Sequence, residues 1–445
     1  MKVPLPVYKG KFGPRQAERL LWRAGFGPRR GEVERLVKAG VKKSVTALTK
    51  PPAETLQGPA PRDDEGRPLA PRDAWGHDHL WWLDRMVRSN QPLVERMTLN
   101  WHDWFATADV ASSRLTLDQN ELLRSDALGR FDDLLTGITA DPAMLLWLSG
   151  NRNTKSAPNE NYAREMMELF TLGAGVGYTE HDVREQARAL TGWRNDWNDG
   201  GPTNFRFDPG RHDSGVKTIF GRSGNFDWRA ACQLCLDHPS HPDFLVTKLW
   251  SYFVPTPPSD ETLQGLKTLY AERGHVVKPL VQAILLHPDF YQGPRMVKPP
   301  VVYIAGMLRA LGRGVDIDDW SWIGHLSGQQ LFHPPNVAGW DESRWVDTAT
   351  WRGRWYAAVY AVKPRALDPE GKYKAGSEGA DEAVDKALNF WGTPSITPET
   401  RRSLVKFAKK CERRANEPWK KRQYRVMRQN ALRLLIATSP DFQTA

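Results

Sequence analysis

Ionisable side chains are densest in the segment Asn159–Gly173, which reads NENYAREMMELFTLG. On a helix, at about 100° per residue, Glu160, Arg164 and Glu168 share one arc and form an i, i+4 ladder of alternating sign, typical of a solvated, ion-paired face. Glu165 falls instead at the rim of the apolar stripe, where a carboxylate is partly desolvated unless a cation, a metal or a hydrogen-bond donor meets it. We therefore treat Glu165 and Glu168 as candidate catalytic carboxylates and Arg164 as a candidate substrate-binding cation. A buried structural ion pair is the alternative for Glu165.

A histidine on another predicted helix could join these carboxylates. His102 lies in Pro92–Ala106, on the side opposite the apolar face that contains Trp101 and Trp104. Glu95 has a similar angular position but lies about 10 Å away along the helix axis, too far for a direct pair. His102 is therefore a candidate general base or metal ligand, and the alternative is an imidazole satisfied by a carboxylate from a neighbouring helix.

A polar loop supplies the next group, because His212, Asp213 and Lys217 fall within six residues. Loops place catalytic groups on rigid scaffolds, and neighbouring His and Asp side chains can support metal binding or proton transfer. Asp213 is a candidate catalytic residue. Lys217 is a candidate substrate-binding residue, as are Glu185 and Arg188 of the preceding predicted helix.

We expect the loop to pack over the helices that bear His102 and Glu165, so that these groups share one pocket. Two histidines and a carboxylate suit a divalent metal, and the candidate ligands are His102, Glu165 and His212. Later in the chain, two prolines and a glycine surround Asn336 in LFHPPNVAGW, which indicates a rigid loop. Asn336 and Trp340 of this loop are candidate substrate-binding residues.

Known cofactor motifs are missing from the sequence. There is no GxGxxG, Walker loop, HExxH, GxSxG or EF-hand. A nucleotide cofactor is therefore not expected. Cys232 and Cys235 form one CxxC pair without a second pair to complete a zinc site, so we interpret them as ordinary packing residues of a helix.

Helical periodicity dominates the chain and predicts a mainly α protein. A single large helical domain is predicted over residues 1–365, with a Pro-rich loop at 51–74 and a Gly/Asp-rich insertion at 194–228 that has room for an irregular segment or a small β-hairpin. A linker and short helix at 366–396 and a basic helical segment at 397–445 follow. The helices predicted around the candidate site are His77–Arg88, Pro92–Ala106, Leu115–Leu135, Ala143–Leu148, Asn159–Leu172 and Thr179–Leu190.

Composition places the chain among ordinary globular proteins, with 445 residues, 40% hydrophobic and 26% charged. No apolar run is long enough to cross a bilayer, so we do not expect a transmembrane protein. The opening residues lack the apolar stretch of a secretory signal, and three cysteines cannot build a disulfide framework. The expected location is the cytoplasm.

The positive charge is concentrated near the end of the chain. Residues 401–433 carry thirteen Lys and Arg against two acids, whereas the net charge of the whole chain is +10. Such a segment is either a solvated helix face or a binding surface for an acidic partner, which would be a protein, a nucleic acid or an anionic surface. The chain also has 19 tryptophans, which serve as core residues, sugar-stacking platforms or cation partners.

Several ordered blocks together resemble the bacterial family catalogued as domain of unknown function 1800. The blocks are RLLWRAGFGPRRGEVERL, NENYAREMMELFTLG, YTEHDVREQARALTGW, the HD-x3-K of the loop, HPDFLVTKLWSYFV, VKPPVVYIAGMLRALG and LFHPPNVAGW. The resemblance runs from about Arg15 to Val362, includes the terminal SPDFQ at 439–443, and leaves most of the basic segment outside. It implies a helical domain with no established activity, usually found in exported proteins. Where similar sequences read Trp-His-Asn-His-Phe this chain has Trp-His-Asp-Trp-Phe at 101–105, which lacks the second histidine of any shared metal site.

Two functions follow from these patterns. The first is an enzyme with a His/carboxylate site, metal-dependent or not, with reaction and substrate undetermined. The alternative is a non-catalytic binding or scaffold protein that uses Trp-rich loops and the basic segment to engage a sugar, a peptide or an acidic partner. Convergence of His102, Glu165, Glu168, His212 and Asp213 in one pocket favours the enzyme, and their dispersal alongside exposed tryptophans favours the binding protein.

Overall fold

Helices form where apolar side chains recur every three to four residues, and they account for 57% of the residues that the structure describes. The computed structural model describes residues 5–108, 110, 112–369, 378–415 and 417–445. Within these residues, 22 α-helices and two small two-stranded sheets are connected by loops. The predicted mainly α fold with a small β-hairpin insertion is confirmed.

The first ten helices precede the insertion. Their bounds are α1 (Pro14–Arg23), α2 (Glu32–Ala39), α3 (Val41–Thr49), α4 (His77–Arg88), α5 (Pro92–Trp104), α6 (Ser113–Ser125), α7 (Phe131–Thr139), α8 (Pro142–Trp147), α9 (Asn161–Glu165) and α10 (Glu180–Ala189). Helix α9 continues as a π-helical turn over Met166–Thr171. A proline occupies the first turn of α1, α5 and α8, where its missing N–H costs nothing because that group has no partner within the helix.

The prediction of a single helix over Leu115–Leu135 is wrong, since the structure has two helices there, α6 and α7, which are separated by a turn. The residues between the two helices use their backbone groups elsewhere. Val277 N donates to Gly129 O at 2.8 Å, and Phe131 N donates to His275 O at 3.0 Å. The helix is interrupted because a distant segment pairs with its backbone, which periodicity along the chain does not reveal.

The insertion consists of two antiparallel hairpins. Strand β1 (Trp193–Asn198) pairs with β2 (Gly201–Phe207), and β3 (Lys217–Ile219) pairs with β4 (Arg222–Gly224). The first hairpin runs from the Trp193–Phe207 pair to the Asn198–Gly201 pair, with a register shift between Arg194 and Asp196. The predicted loop over 212–217 therefore connects the two hairpins.

The remaining helices follow the insertion. They are α11 (Trp228–Leu236), α12 (His241–Ser251), α13 (Asp260–Glu272), α14 (Val277–Leu286), α15 (Pro288–Gln292), α16 (Pro300–Leu311), α17 (Asp319–Leu326), α18 (Thr348–Val362), α19 (Ala380–Phe390), α20 (Pro398–Arg414), α21 (Pro418–Ala437) and α22 (Pro440–Gln443). Part of the predicted linker, residues 370–377, lies outside the described residues. No helix among the described residues combines the length and the apolar composition that a membrane span requires.

Buried apolar side chains form two clusters, and α5 contributes to both. Met97, Trp101 and Trp104 of α5 belong to the first cluster, which extends through α7 and α10 to α14. Leu99 belongs to the second cluster, which joins α4 and α16 to the C-terminal helices. Helix α5 therefore lies between the two clusters.

The basic segment packs into the second cluster as well. Leu404 and Ala408 of α20 and Leu432 of α21 are buried there, together with Val384 of α19. The Lys and Arg side chains of α20 are consequently left on the side of the helix that faces away from the core, whereas Arg428 of α21 is buried and pairs with Glu378.

Candidate active site

A polar stripe runs along α5 at positions 96, 100 and 103. The spacing i, i+4, i+7 puts Arg96, Asn100 and Asp103 on one side of the helix. Arg96 and Asn100 are 5% and 3% exposed, and Asp103 is partly buried. This stripe forms one wall of a cavity.

The cavity is lined by segments that are far apart in the chain, and its water-accessible volume is about 30 Å³. Its walls come from α1, α5, the end of α12, the segment before α16 and the loops on both sides of residue 340. The lining residues are Trp22, Arg23, Arg96, Leu99, Asn100, Asp103, Tyr252, Met296, Val297, Lys298, Pro299, Gln329, Glu342, Trp345 and Ala445.

The guanidinium group of Arg96 has no protein partner in this cavity. Its Nε and Nη1 atoms are buried without a hydrogen bond, and no carboxylate oxygen of the described residues lies within the 4.0 Å of an ion pair. Burial lowers the pKa of Arg96 to about 10, and the negative charge of Glu342 opposes that change. Buried cations in proteins are normally paired, so the space beside Arg96 is suited to an anion.

Glu342 lies where the cavity meets solvent. It starts a short 3₁₀ turn, Glu342–Arg344, and is exposed as a residue although it lines the cavity. Desolvation by the cavity wall, together with the negative charge of Asp103, raises the pKa of Glu342 to about 7, while Arg96 lowers it. The carboxyl group is thus able to exchange its proton near neutral pH.

Asp103 is held in place by two hydrogen bonds. Tyr252 Oη donates to Asp103 Oδ2 at 2.8 Å, and the backbone N–H of Trp340 donates to Asp103 Oδ1 at 2.8 Å. Gly339 makes this approach possible, since its φ is +90° and a Cβ there would overlap Asp103 Oδ1. Burial raises the pKa of Asp103, and both hydrogen bonds oppose the change.

Two more donors border the same space. The Nε1 atom of Trp345 is buried without a partner. The amide of Asn100 has only a weak contact, from Nδ2 to Met97 Sδ at 3.9 Å. Together with Arg96 they give the cavity a surplus of donors, which complements an oxyanion.

His102, on the same helix, has an apolar environment instead. Its ring is enclosed by Trp82, Phe332 and Trp340, with ring centres 5.2, 5.6 and 5.5 Å away. Burial lowers the pKa of His102 to about 3, so the imidazole is neutral. Its Nε2 atom is buried without a partner, and no carboxylate pairs with it among the described residues.

The predicted carboxylates of the 159–173 segment lie at a partly exposed surface. Arg164 pairs with Glu160 at 3.1 Å, with Glu168 at 3.7 Å and with Glu180 at 2.7 Å. Glu165 is partly buried, as its position at the rim predicts, and its carboxylate has no hydrogen bond to a described residue. Desolvation, reinforced by the charge of Glu168, raises the pKa of Glu165.

The loop residues bind to α10 and to each other. Arg188 contacts Asp213 at 2.7 Å and Glu185 at 2.9 Å, and Glu185 accepts the backbone N–H of Thr218 at 2.9 Å. Lys217 is fully buried, and its Nζ atom donates to the carbonyl oxygens of Asp213 and Phe226. These contacts occupy the groups that were expected to hold a substrate, so they anchor the second hairpin on α10.

The predicted metal set is not assembled. Across residues 5–108, 110, 112–369, 378–415 and 417–445, there is no group of three or more His, Cys, Asp or Glu side chains that could hold a metal ion. His102 is surrounded by rings, whereas His212 bonds through Nδ1 to Thr191 O at 2.9 Å. None of the three proposed ligands lines the cavity.

The two residues predicted from the rigid loop have different surroundings. Asn336 is exposed, and its Oδ1 accepts the backbone N–H of Ala338 at 2.8 Å, which stabilises a turn. Trp340 is buried, contacts the His102 ring and binds Asp103 through its backbone. The loop therefore positions Asp103.

Sequence reasoning missed Arg96, Asn100 and Asp103 as a group. The available signal was their i, i+4, i+7 spacing on a helix whose other positions are largely apolar. Glu342 and Tyr252 could not be found in this way because they come from distant segments that follow no shared period.

A family model described as "Protein of unknown function (DUF1800)" matches residues 19–444. The match includes the C-terminal helices, most of which the sequence resemblance had left outside. No curated protein and no solved structure matches the chain.

Proposed function

Since the chain belongs to the DUF1800 family, whose description names no activity, we propose from the cavity itself that the protein is an enzyme that transfers a proton to or from a small oxyanion-bearing substrate. The observation that carries this proposal is the unpaired guanidinium of Arg96 in a cavity that also contains the carboxyl group of Glu342. Perturbed titratable groups that meet in one cleft are typical of catalytic sites.

Arg96 serves as the substrate anchor. The planar guanidinium matches a carboxylate or phosphate through two parallel hydrogen bonds. Asn100 and Trp345 add donors beside it. An oxyanion bound there satisfies donors that are otherwise buried without partners, so binding restores hydrogen bonds that folding has removed.

Glu342 gives or takes the proton. A general acid or base works best when its pKa lies near the working pH, and the pKa of Glu342, about 7, meets that condition. Asp103 is fixed by Tyr252 and Trp340 and keeps a negative charge close to Glu342. Asp103 is thus a positioning residue that helps to keep the pKa of Glu342 high.

The cavity beside Arg96 differs in its residues from the site predicted from the sequence. Like that predicted site, it combines carboxylates with a cation. The proposed roles of His102, Glu165, Glu168 and Asp213 stay predictions, and none of these residues lines the cavity. A bound metal is not required by the donors present here, because Arg96 already supplies the positive charge.

The proposal is tested by anion binding and proton exchange together. We expect acetate, oxalate or inorganic phosphate to raise the melting temperature of the wild-type protein, compared with chloride at equal ionic strength, and Arg96→Met to abolish the rise. Small carboxylic acids incubated with the protein in D₂O are then followed by ¹H NMR. In Glu342→Gln, the anions should still raise the melting temperature, whereas the exchange of substrate protons for deuterium should be at least about 100-fold slower. Absence of any anion effect in the wild type, or equal exchange by Glu342→Gln, would contradict the proposal.

A non-catalytic binding function has support from one surface feature. Trp322 and Trp355 are 41% and 43% exposed, and the ring of Trp322 lies 5.4 Å from that of Tyr356. The exposed ring of Trp322 beside Tyr356 suits sugar or peptide aromatic stacking, and Trp355 is a second exposed ring on α18. Quenching of tryptophan fluorescence by oligosaccharides, lost in Trp322→Ala/Trp355→Ala, would support this function. The acidic partner predicted for 401–433 likewise stays a prediction, supported by the exposed cations of α20.

A further inference from the structure

Helix α20 presents cations that the protein itself does not use. Lys406, Lys409, Lys410, Arg413 and Arg414 are exposed, and within the described part of the chain none of them forms an ion pair or hydrogen bond. Five unpaired cations on one helix repel one another and raise the free energy of the folded state slightly. A ligand of opposite charge would relieve this repulsion.

Four cations of α20 follow a single line. Arg402, Lys406, Lys409 and Arg413 are separated by four, three and four residues, so they lie on one side of the helix over about 16 Å. They line a shallow groove, the α20 groove, whose other lining residues are Asp381, Pro398, Arg401 and Val405. The acid Asp381 is near Arg401, which binds Asp385 at 2.7 Å. Arg402 pairs with Glu399 at 2.6 Å, so the groove keeps its unpaired positive charge at Lys406, Lys409 and Arg413.

The apolar side of α20 is unavailable for binding. Leu404 and Ala408 are buried in the second core cluster, and Phe407 is partly buried against it. A helix that inserts into a membrane surface needs exposed Leu, Phe or Trp side chains, and the centre of a protein interface is usually aromatic and depleted in charge. A groove lined mostly by Lys and Arg, with Pro398 and the partly buried Val405 as its apolar residues, instead fits the phosphates of a nucleic acid backbone.

We propose that the α20 groove binds the phosphodiester backbone of a nucleic acid without reading its bases. Lysine contributes point charges and arginine contributes a planar fork that matches phosphate oxygens. This binding is independent of the cavity beside Arg96, because no residue is shared between the two sites.

The test compares two triple variants with the same loss of charge. Lys406→Gln/Lys409→Gln/Arg413→Gln removes three groove cations, and Lys38→Gln/Lys42→Gln/Lys43→Gln removes three exposed lysines of α2 and α3. Binding of a fluorescein-labelled duplex of about 20 base pairs is measured by anisotropy at several NaCl concentrations. The slope of log K against log[salt] changes by about 0.9 per lost phosphate contact, so the groove variant should lose about 2.7 from its slope. The control variant should keep the wild-type slope.

Three results would overturn the proposal. One is an equal loss of affinity in both triple variants, which indicates attraction by net charge alone. Another is displacement of the duplex by poly-glutamate at equal charge concentration, which indicates an acidic protein as partner. The third is preferential sedimentation with phosphatidylserine vesicles. Arg96→Met should leave duplex binding unchanged, so failure at this surface and failure at the cavity are distinguishable.

Discussion

Replacing Arg96 by methionine should stabilise the protein, although it removes a buried side chain. Nε and Nη1 of Arg96 have lost water and gained no partner. Burial lowers its pKa to about 10, which corresponds to about 3 kcal/mol of destabilisation of the charged form. Methionine keeps most of the apolar stem and removes the buried charge. We therefore expect the free energy of unfolding to rise by about 1–3 kcal/mol.

Arg354 provides a matched control of opposite sign. It is equally buried, and burial lowers its pKa to about 10 as well. Its guanidinium, however, donates to Trp345 O at 2.6 Å, Gln443 Oε1 at 2.9 Å and Lys298 O at 2.7 Å. Arg354→Met breaks these bonds and should lower the free energy of unfolding by about 3–5 kcal/mol.

Urea denaturation followed by tryptophan fluorescence measures both effects. The midpoint for Arg96→Met should lie above that of the wild type, and the midpoint for Arg354→Met should lie below it. Added phosphate or acetate should narrow the gap between the wild type and Arg96→Met, because only the wild type binds the anion. A midpoint for Arg96→Met that falls as far as that of Arg354→Met would refute the reasoning, since it would mean that Arg96 is a structural residue.

Three further substitutions test the surroundings of the site and the fold. Gly339→Ala adds a methyl group that overlaps Asp103 Oδ1, so the free energy of unfolding measured by urea titration should fall by about 3 kcal/mol. At Gly221 φ is also positive but the space is open, so Gly221→Ala should lower the free energy of unfolding by only about 1 kcal/mol. Burial raises the pKa of Asp141 from 3.8 to about 7, so the folded chain holds a proton that the unfolded chain releases, and the free energy of unfolding should decline as pH rises from about 4 to 7. Asp141→Asn keeps an oxygen for the N–H of Met144 and should remove that part of the decline, and an unchanged pH profile would count against it. Lys217→Met deletes the bonds to the Asp213 and Phe226 carbonyls, and limited proteolysis should then cut residues 194–228 faster than in the wild type.

The fold was largely predictable because helices have a strong period, and His77–Arg88 agrees with the prediction at both ends. The prediction of one helix over Leu115–Leu135 was wrong because the backbone groups of Gly129 and Phe131 pair with the distant segment 275–277, which interrupts the helix. The position of Glu165 at the edge of the apolar stripe also follows from the period, as its partial burial shows.

The candidate site was much less predictable. An unpaired Arg96 cannot be distinguished in a sequence from the many paired arginines, because pairing depends on which segments meet. The sequence pointed to charged groups that are close along the chain, such as Glu185 and Arg188, and in the structure these two side chains form an ion pair with each other. The cavity combines single residues from several distant segments, which short motifs do not encode.

Helix α5 belongs to both core clusters, and this has a consequence for how the molecule loses its structure. Trp101 and Leu99 lie on the same helix but in different cores, so melting of either core releases α5 and exposes apolar surface in the other. Helices α1 and α6 are shared in the same way, with Leu20 and Leu123 in the first core and Trp22 and Leu117 in the second. The two cores should therefore behave as one cooperative unit, and hydrogen exchange of the innermost amides on both sides of α5 should converge on a single opening free energy.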